Sequence, residues 1–177
     1  MDQRRDIVVL AASLGGLAAI RDLAAALPAR FDAALLVVLH THPQSPGLLD
    51  EIIGACTPLP VSYASQGEPV ERGHVYLAPA DRHLTVKPPG KCMLDTGPKV
   101  HFHRPAADPL FESAARTFGP RVIAVVLTGR DSDGAEGLRA IKGAGGIGVV
   151  QDPAEAMICL TDTSASPVGG SLSASDS

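Results

Sequence analysis

The sequence predicts an α/β domain of three layers, built on a doubly wound, mainly parallel sheet with an antiparallel β-hairpin insertion. Three observations carry this expectation. The short apolar runs Ile7–Ala11, Ala34–Leu39, Val122–Leu127 and Ile147–Gln151 lack polar alternation, as strands buried on both faces of a parallel sheet do. Helical patterns follow the first runs, and consecutive βα units imply right-handed crossovers. The stretch from 73 to 94 is instead broken by Pro-Ala-Asp-Arg and Pro-Pro-Gly, the spacing of hairpin turns.

Taken in order, Ile7–Ala11 is the first strand. Leu17, Ile20, Leu23, Ala24 and Leu27 then recur at helical spacing until Pro28 stops the helix. Ala34–Leu39 is the second strand, and Ser45-Pro46 reads as the cap and first residue of a helix that continues through Leu48–Ala55. Gly73–Pro79, His83–Pro88 and Lys91–Leu94 read as antiparallel hairpin strands. Asp108-Pro109 opens a helix with Leu110, Phe111, Ala114 and Ala115 on one side and Gly119-Pro120 at its end. Val122–Leu127 is a buried strand, Ala135–Lys142 a helix closed by Gly143, and Ile147–Gln151 the last strand. From Thr161 the chain turns small and polar, so the ordered domain is expected over 6–160, with 161–177 a disordered Ser/Gly-rich tail.

Composition narrows the functional classes. An apolar content of 45% over 177 residues supports a single domain with a real core. Fifteen basic against nineteen acidic residues, with no basic run and no aromatic platform, argue against nucleic acid as a partner. No apolar stretch approaches the roughly 18 residues needed to span a bilayer. The charged start Met1-Asp2-Gln3-Arg4-Arg5-Asp6 runs straight into a strand and does not read as a secretory signal. Cys56, Cys92 and Cys159 form no CxxC pair and read as reduced thiols of a cytoplasmic protein.

The chemistry gathers at strand ends. Ligands of an open α/β sheet bind beyond the carboxyl ends of its strands. Ser13 follows the first run, His40 the second, and Asp133 comes soon after Val122–Leu127. A serine, a histidine and an aspartate at one edge can form a nucleophile, base and orienter. Each also has an ordinary reading. Ser13 sits where a helix N-cap would, and Ala11-x-Ser13-x-x-Gly16 is a degraded form of a dinucleotide turn. His42 competes with His40 as base, and Asp131 with Asp133. Asp133 with Glu136 three residues on has the composition of a capping box. Thr128-Gly129 forms a flexible turn whose N–H groups could face an oxyanion. His101-Phe102-His103 has metal-ligand spacing, but no HExxH or acidic residue completes a set, so no metal is expected.

As a set, these residues resemble the catalytic domain of the chemotaxis protein-glutamate methylesterases of the CheB type. Ala12-Ser13-Leu14-Gly15-Gly16 resembles the family's nucleophile turn, and Val38-Leu39-His40 with Pro43 its histidine strand end. Gly73–Pro79 with Arg82-His83-Leu84 resembles its hairpin. His103-Arg104-Pro105-Ala106-Ala107-Asp108-Pro109-Leu110-Phe111 is similar to its His-Arg-Pro run. Leu127-Thr128-Gly129 through Asp133-Gly134-Ala135-x-Gly137-Leu138 resembles its aspartate loop, and Gln151-Asp152 its last strand.

The resemblance implies Ser13 as nucleophile, His40 as general base and Asp133 as its orienting carboxylate, with backbone N–H groups at Leu14, Gly129 and Arg130 facing the oxyanion. It implies methyl-ester hydrolysis on glutamyl side chains of methylated chemoreceptors, glutamine deamidation in some members, and no cofactor. A catalytically weak domain that binds a receptor or signalling partner is the alternative. Leu14 stands where the family usually has threonine, and Arg130, which would add a cation at the cleft mouth, where methionine is common. No receiver domain is read before Asp6, so the family's phosphorylation control is expected to be missing or to reside on another chain. Met157-Ile158-Cys159-Leu160 runs into the serine-rich tail where the family has a Gly-Met-Pro turn, a helix and a strand, so a truncated or frame-altered end with an uncovered apolar face is expected.

Overall fold

A computed structural model describes residues 4–127, 133–151 and 158–161, the last four by their backbone. The tail 162–177 lies outside the described residues. Seven strands form the main sheet: β1 (Ile7–Ala12), β2 (Ala34–Leu39), β3 (Val61–Tyr63), β4 (Val75–Leu77), β7 (Val122–Leu127), β8 (Ile147–Gln151) and β9 (Ile158–Thr161). Their order is β3-β4-β2-β1-β7-β8-β9. All neighbouring pairs are parallel except β8 with β9, where Gln151 stands opposite Ile158. β5 (His83–Lys87) and β6 (Lys91–Asp95) form a separate antiparallel hairpin.

The strand residues alternate between two cores. Leu10, Ala12, Leu35, Val37 and Leu39 pack on one face with Ile20 of α1 (Leu17–Ala25) and Ile53 of α2 (Leu49–Gly54). Val9, Ala11, Leu36 and Val38 pack on the other with Leu110 and Phe111 of α3 (Ala107–Phe118), Ile141 of α4 (Ala135–Gly143), and Leu84 and Val86 of the hairpin. This gives the three layers expected. The chain runs outward from β1 through β2 and returns on its other side at β7, so the strand order reverses at β1. That reversal opens a crevice at the carboxyl ends.

Several sequence readings change. β4 is not a hairpin strand but lies parallel between β2 and β3. Turn residues on both sides made it look local, whereas its pairing is long-range. β3 went unread because it is three half-buried residues after Pro58-Leu59-Pro60. Ser45 does not cap α2, which starts at Leu49 after a tight turn closed by Ser45 N–H to His42 O at 2.8 Å. The Tyr63 hydroxyl accepts the Leu49 amide at 3.2 Å in its place. Asp108-Pro109 does open α3, with Asp108 inside its first turn.

α3 and α4 meet at a glycine. A Cβ on Gly137 would lie 2.3 Å from Phe111 Cβ and 3.2 Å from Asp108 Oδ1. Phe111 is fully buried, so only a helix shift could make room. Gly137→Ala is expected to cost about 1–3 kcal/mol despite the better helix propensity of alanine. A thermal melt checks this, with a drop in Tm of a few degrees expected.

Candidate active site

The three apolar strands end in register. Ala12 stands opposite Leu39 of β2 and opposite Leu127 of β7. The next residue on the first two strands is therefore Ser13 and His40, one strand apart. The His40 amide donates to Ala12 O at 3.1 Å, which ties the histidine to the peptide leading into the serine.

Ser13 is half-buried and extended (φ −76°, ψ 172°), at the entry to a single 3-10 turn, Leu14–Gly16. Its hydroxyl makes no capping bond to that turn, so the helix-cap reading does not hold. The turn is closed by Gly16 N–H to Ser13 O at 2.8 Å. Among the described residues, a Cβ on Gly15 would meet nothing within 4 Å. An apolar recess of about 210 Å³ between Thr41, Leu49, Tyr63 and Pro79 opens at the same sheet edge.

His40 and Asp133 are brought together. His40 Nε2 donates to Asp133 Oδ2 at 2.7 Å, with the His40 side chain 12% exposed and that of Asp133 1%. His40 Nδ1 is buried and has no hydrogen-bond partner among the described residues. His42 is exposed, and its Nδ1 accepts the Gln44 amide at 3.2 Å within its own loop. Asp131, Gly129 and Arg130 lie outside the described residues, and Leu14 is described by its backbone alone.

Asp133 does not cap its own helix. The N-cap of α4 is Gly134, in the left-handed region at φ 95°, without a side-chain cap. Asp133 instead accepts the amides of Ala107 at 2.7 Å and Asp108 at 3.1 Å, buried donors at the start of α3 that have no partner within the helix. Asp108 returns the arrangement, its Oδ1 accepting the Gly137 amide at 2.7 Å at the start of α4. Each aspartate caps the other's helix. Sequence reasoning missed this because the partners are far apart in the chain. The Asp-Pro at one helix start and Asp-Gly at the other were its only signals.

Burial alone would push the Asp133 carboxyl up, but hydrogen bonds from His40, Ala107 and Asp108 outweigh it and hold it below its ordinary value. The unfolded chain thus binds the proton first as pH falls. Stability from Asp133 is present above the unfolded value, about 3.9, and is lost as pH drops below about 4 through the folded value. Denaturant titrations from pH 5 to 2 are expected to show this loss, and an Asp133→Asn chain a shallower one.

The His-x-His segment divides its work. His101 Nε2 lies 3.1 Å from Asp108 Oδ2, while the His103 ring stacks on His40 with centroids 3.7 Å apart and planes within 6°. His83, buried, anchors the approach to α3, with Nε2 donating to Pro98 O at 2.9 Å and Nδ1 accepting the Ala106 amide at 3.3 Å. Cys56 and Cys92 are free thiols, and burial pushes the Cys92 thiol up to about 12, far from a usable nucleophile.

A family model described as CheB methylesterase matches residues 8–169. The chain is 44% identical over 155 residues to protein-glutamate methylesterase/protein-glutamine glutaminase 4 of Myxococcus xanthus, covering 88% of this chain and 44% of that one. It is 39% identical over 157 residues to protein-glutamate methylesterase/protein-glutamine glutaminase 2 of Caulobacter vibrioides, covering 86% of this chain and 45% of that one. The chain thus spans less than half the length of these two relatives. The crystal structure of the Thermotoga maritima CheB methylesterase catalytic domain superposes with a TM-score of 0.77 at 36% identity, over 82% of this chain and 79% of the other.

Proposed function

The chain belongs to the CheB methylesterase family, and from that premise we propose that it is a cytoplasmic serine hydrolase that removes methyl esters from glutamate side chains. Its partners are methylated chemoreceptors or related signalling proteins, and glutamine deamidation is a second reaction of the same site. The observation that carries this reading is the His40–Asp133 pair at 2.7 Å, hydrogen-bonded through the His40 backbone to the residue before Ser13.

The steps follow from proton bookkeeping. An ionised Asp133 only accepts, so it fixes the proton of neutral His40 on Nε2 and leaves Nδ1 as the base. Nδ1 takes the Ser13 hydroxyl proton as Oγ bonds to the ester carbonyl carbon. The carbonyl oxygen becomes an oxyanion that needs backbone N–H donors, and Leu14, Gly129 and Arg130 are the residues that the family resemblance assigns to this task. The C–O bond to the methoxy group breaks, and methanol leaves with the proton carried by His40. Water then gives a proton to Nδ1 as it attacks the acyl-serine, the acyl C–Oγ bond breaks to release the glutamate side chain, and Nδ1 returns its proton to Ser13 Oγ. With glutamine, the leaving group is ammonia. The charge on Asp133 stabilises the imidazolium at each stage without taking the proton.

Ser13→Ala tests the reading. Methanol release from methylated receptor is expected to fall by about 10⁴-fold or more, with the melting temperature little changed. Unchanged release would remove Ser13 from the chemistry. Capture of receptor by the natural chain without any turnover would favour a binding domain instead.

A further inference from the structure

We infer that His103 is a positioning residue for the general base: its ring, stacked on His40, fixes the plane of that imidazole and so the direction of Nδ1. This rests on His40 being the base. A single hydrogen bond from Nε2 to Asp133 anchors one corner of the His40 ring but leaves it free to swing about the Cβ–Cγ bond, because terminal torsions of histidine are broad. A flat ring at 3.7 Å and 6° removes that freedom, since any swing drives the edge of His40 into the face of His103. The base is then held by its edge and by its face. Nδ1 keeps one heading, which a nucleophile on the next strand requires.

The backbone supports this role at visible cost. Val100 and His103 exchange both amide hydrogen bonds, at 3.0 and 2.9 Å, closing a two-residue turn. The central residues, His101 and Phe102, have φ of 47° and 65°, a left-handed pair that glycine or asparagine usually fills. Such strain persists only where surroundings over-determine it, and it gathers at functional sites. Here the surroundings are explicit. Arg104, the next residue, donates to Asp81 Oδ1 at 2.9 and 2.7 Å, to Thr96 O at 2.9 Å and to Gly97 O at 2.7 Å. His101 reaches Asp108 in the capping pair. The turn is thereby fastened on both sides of the stacked ring. Phe102 at its tip is 94% exposed and contributes nothing to a core, so packing of that side chain does not explain the turn.

The test compares His103→Ala, His103→Leu and His103→Phe with Ser13→Ala as a reference, using methanol release from a glutamate γ-methyl ester in methylated receptor. His103→Ala and His103→Leu are expected to lower kcat by about 10–100-fold with KM within twofold, because the base is misaimed while substrate binding is untouched. His103→Phe, which keeps a flat face, is expected to recover most of kcat. Melting temperatures are read alongside, and a variant that melts below the assay temperature is replaced in the comparison by the Leu–Phe pair. Equal loss in the Leu and Phe variants would overturn the stacking role, as would kcat unchanged in Ala and Leu. If Ser13→Ala also retains turnover, it is the hydrolase reading that fails, and the two failures are told apart.

Discussion

Asp133→Asn is expected to lower kcat by about four orders of magnitude and to destabilise the fold at the same time. The two losses share one cause. Asp133 Oδ2 accepts from both His40 Nε2 and the Ala107 amide, and Oδ1 from the Asp108 amide. An asparagine has only one accepting end. With its oxygen at the Oδ2 place, its NH₂ meets the Asp108 N–H, donor against donor. Turned over, its NH₂ meets the Ala107 N–H and His40 Nε2, so the imidazole must present a lone pair there and carry its proton on Nδ1. That tautomer cannot act as a base toward Ser13, a change that costs about 10⁴-fold in kcat in a related triad. In either orientation a buried amide at the start of α3 loses its partner, worth about 1–3 kcal/mol. Parallel kcat and denaturant measurements check the pair of effects, whereas a purely catalytic aspartate would lose activity with stability kept.

The second large effect lies at the opposite edge of the sheet. Asp6, 1% exposed at the start of β1, is held by Arg72 and by Arg121, whose Nε and Nη2 donate at 2.8 and 2.9 Å. Burial pushes the Asp6 carboxyl up, but the two guanidinium groups outweigh it and hold it below its ordinary value. Removing both as Arg72→Ala with Arg121→Ala leaves a buried, unpaired carboxylate, expected to cost about 3–5 kcal/mol. The pH dependence should also change sign. In the natural chain the Asp6 contribution is lost as pH falls below about 4. In the double variant only burial remains, so the folded carboxyl titrates above the unfolded one and stability falls as pH rises through that window. Asp6→Ala should cost less, because the arginines left behind are half-exposed and return to water. Chemical denaturation of the three variants at pH 4 and 7 measures both the size and the reversal.

Much of the architecture was legible because burial on both faces leaves an unmistakable mark. β2, β7 and β8 carry the bounds read from their apolar runs, and β1 is one residue longer. β4 misled because three residues flanked by turns have no signal for parallel pairing with strands distant in the chain. The site followed the same division. Strand ends brought Ser13, His40 or His42, and Asp131 or Asp133 to one edge, and only the resemblance to a known family chose Ser13, His40 and Asp133 among them. What holds them could not be read that way. The cross-capping of α3 and α4 by Asp133 and Asp108, and the stack of His103 on His40, depend on contacts between segments with no local sequence pattern in common. The HxH spacing of His101 and His103 raised a metal site only to lack its ligand set, and such spacing says nothing about where two rings point.

The central claim is that Ser13, His40 and Asp133 act as one catalytic unit. Fluorophosphonate labelling of the natural chain, His40→Ala and Asp133→Asn, with the modified residue located by mass spectrometry, tests it most directly. Labelling at Ser13 is expected in the natural chain, with near-complete loss in both variants, each still folded by circular dichroism. Labelling elsewhere, or at Ser13 with undiminished rate in either variant, would contradict it.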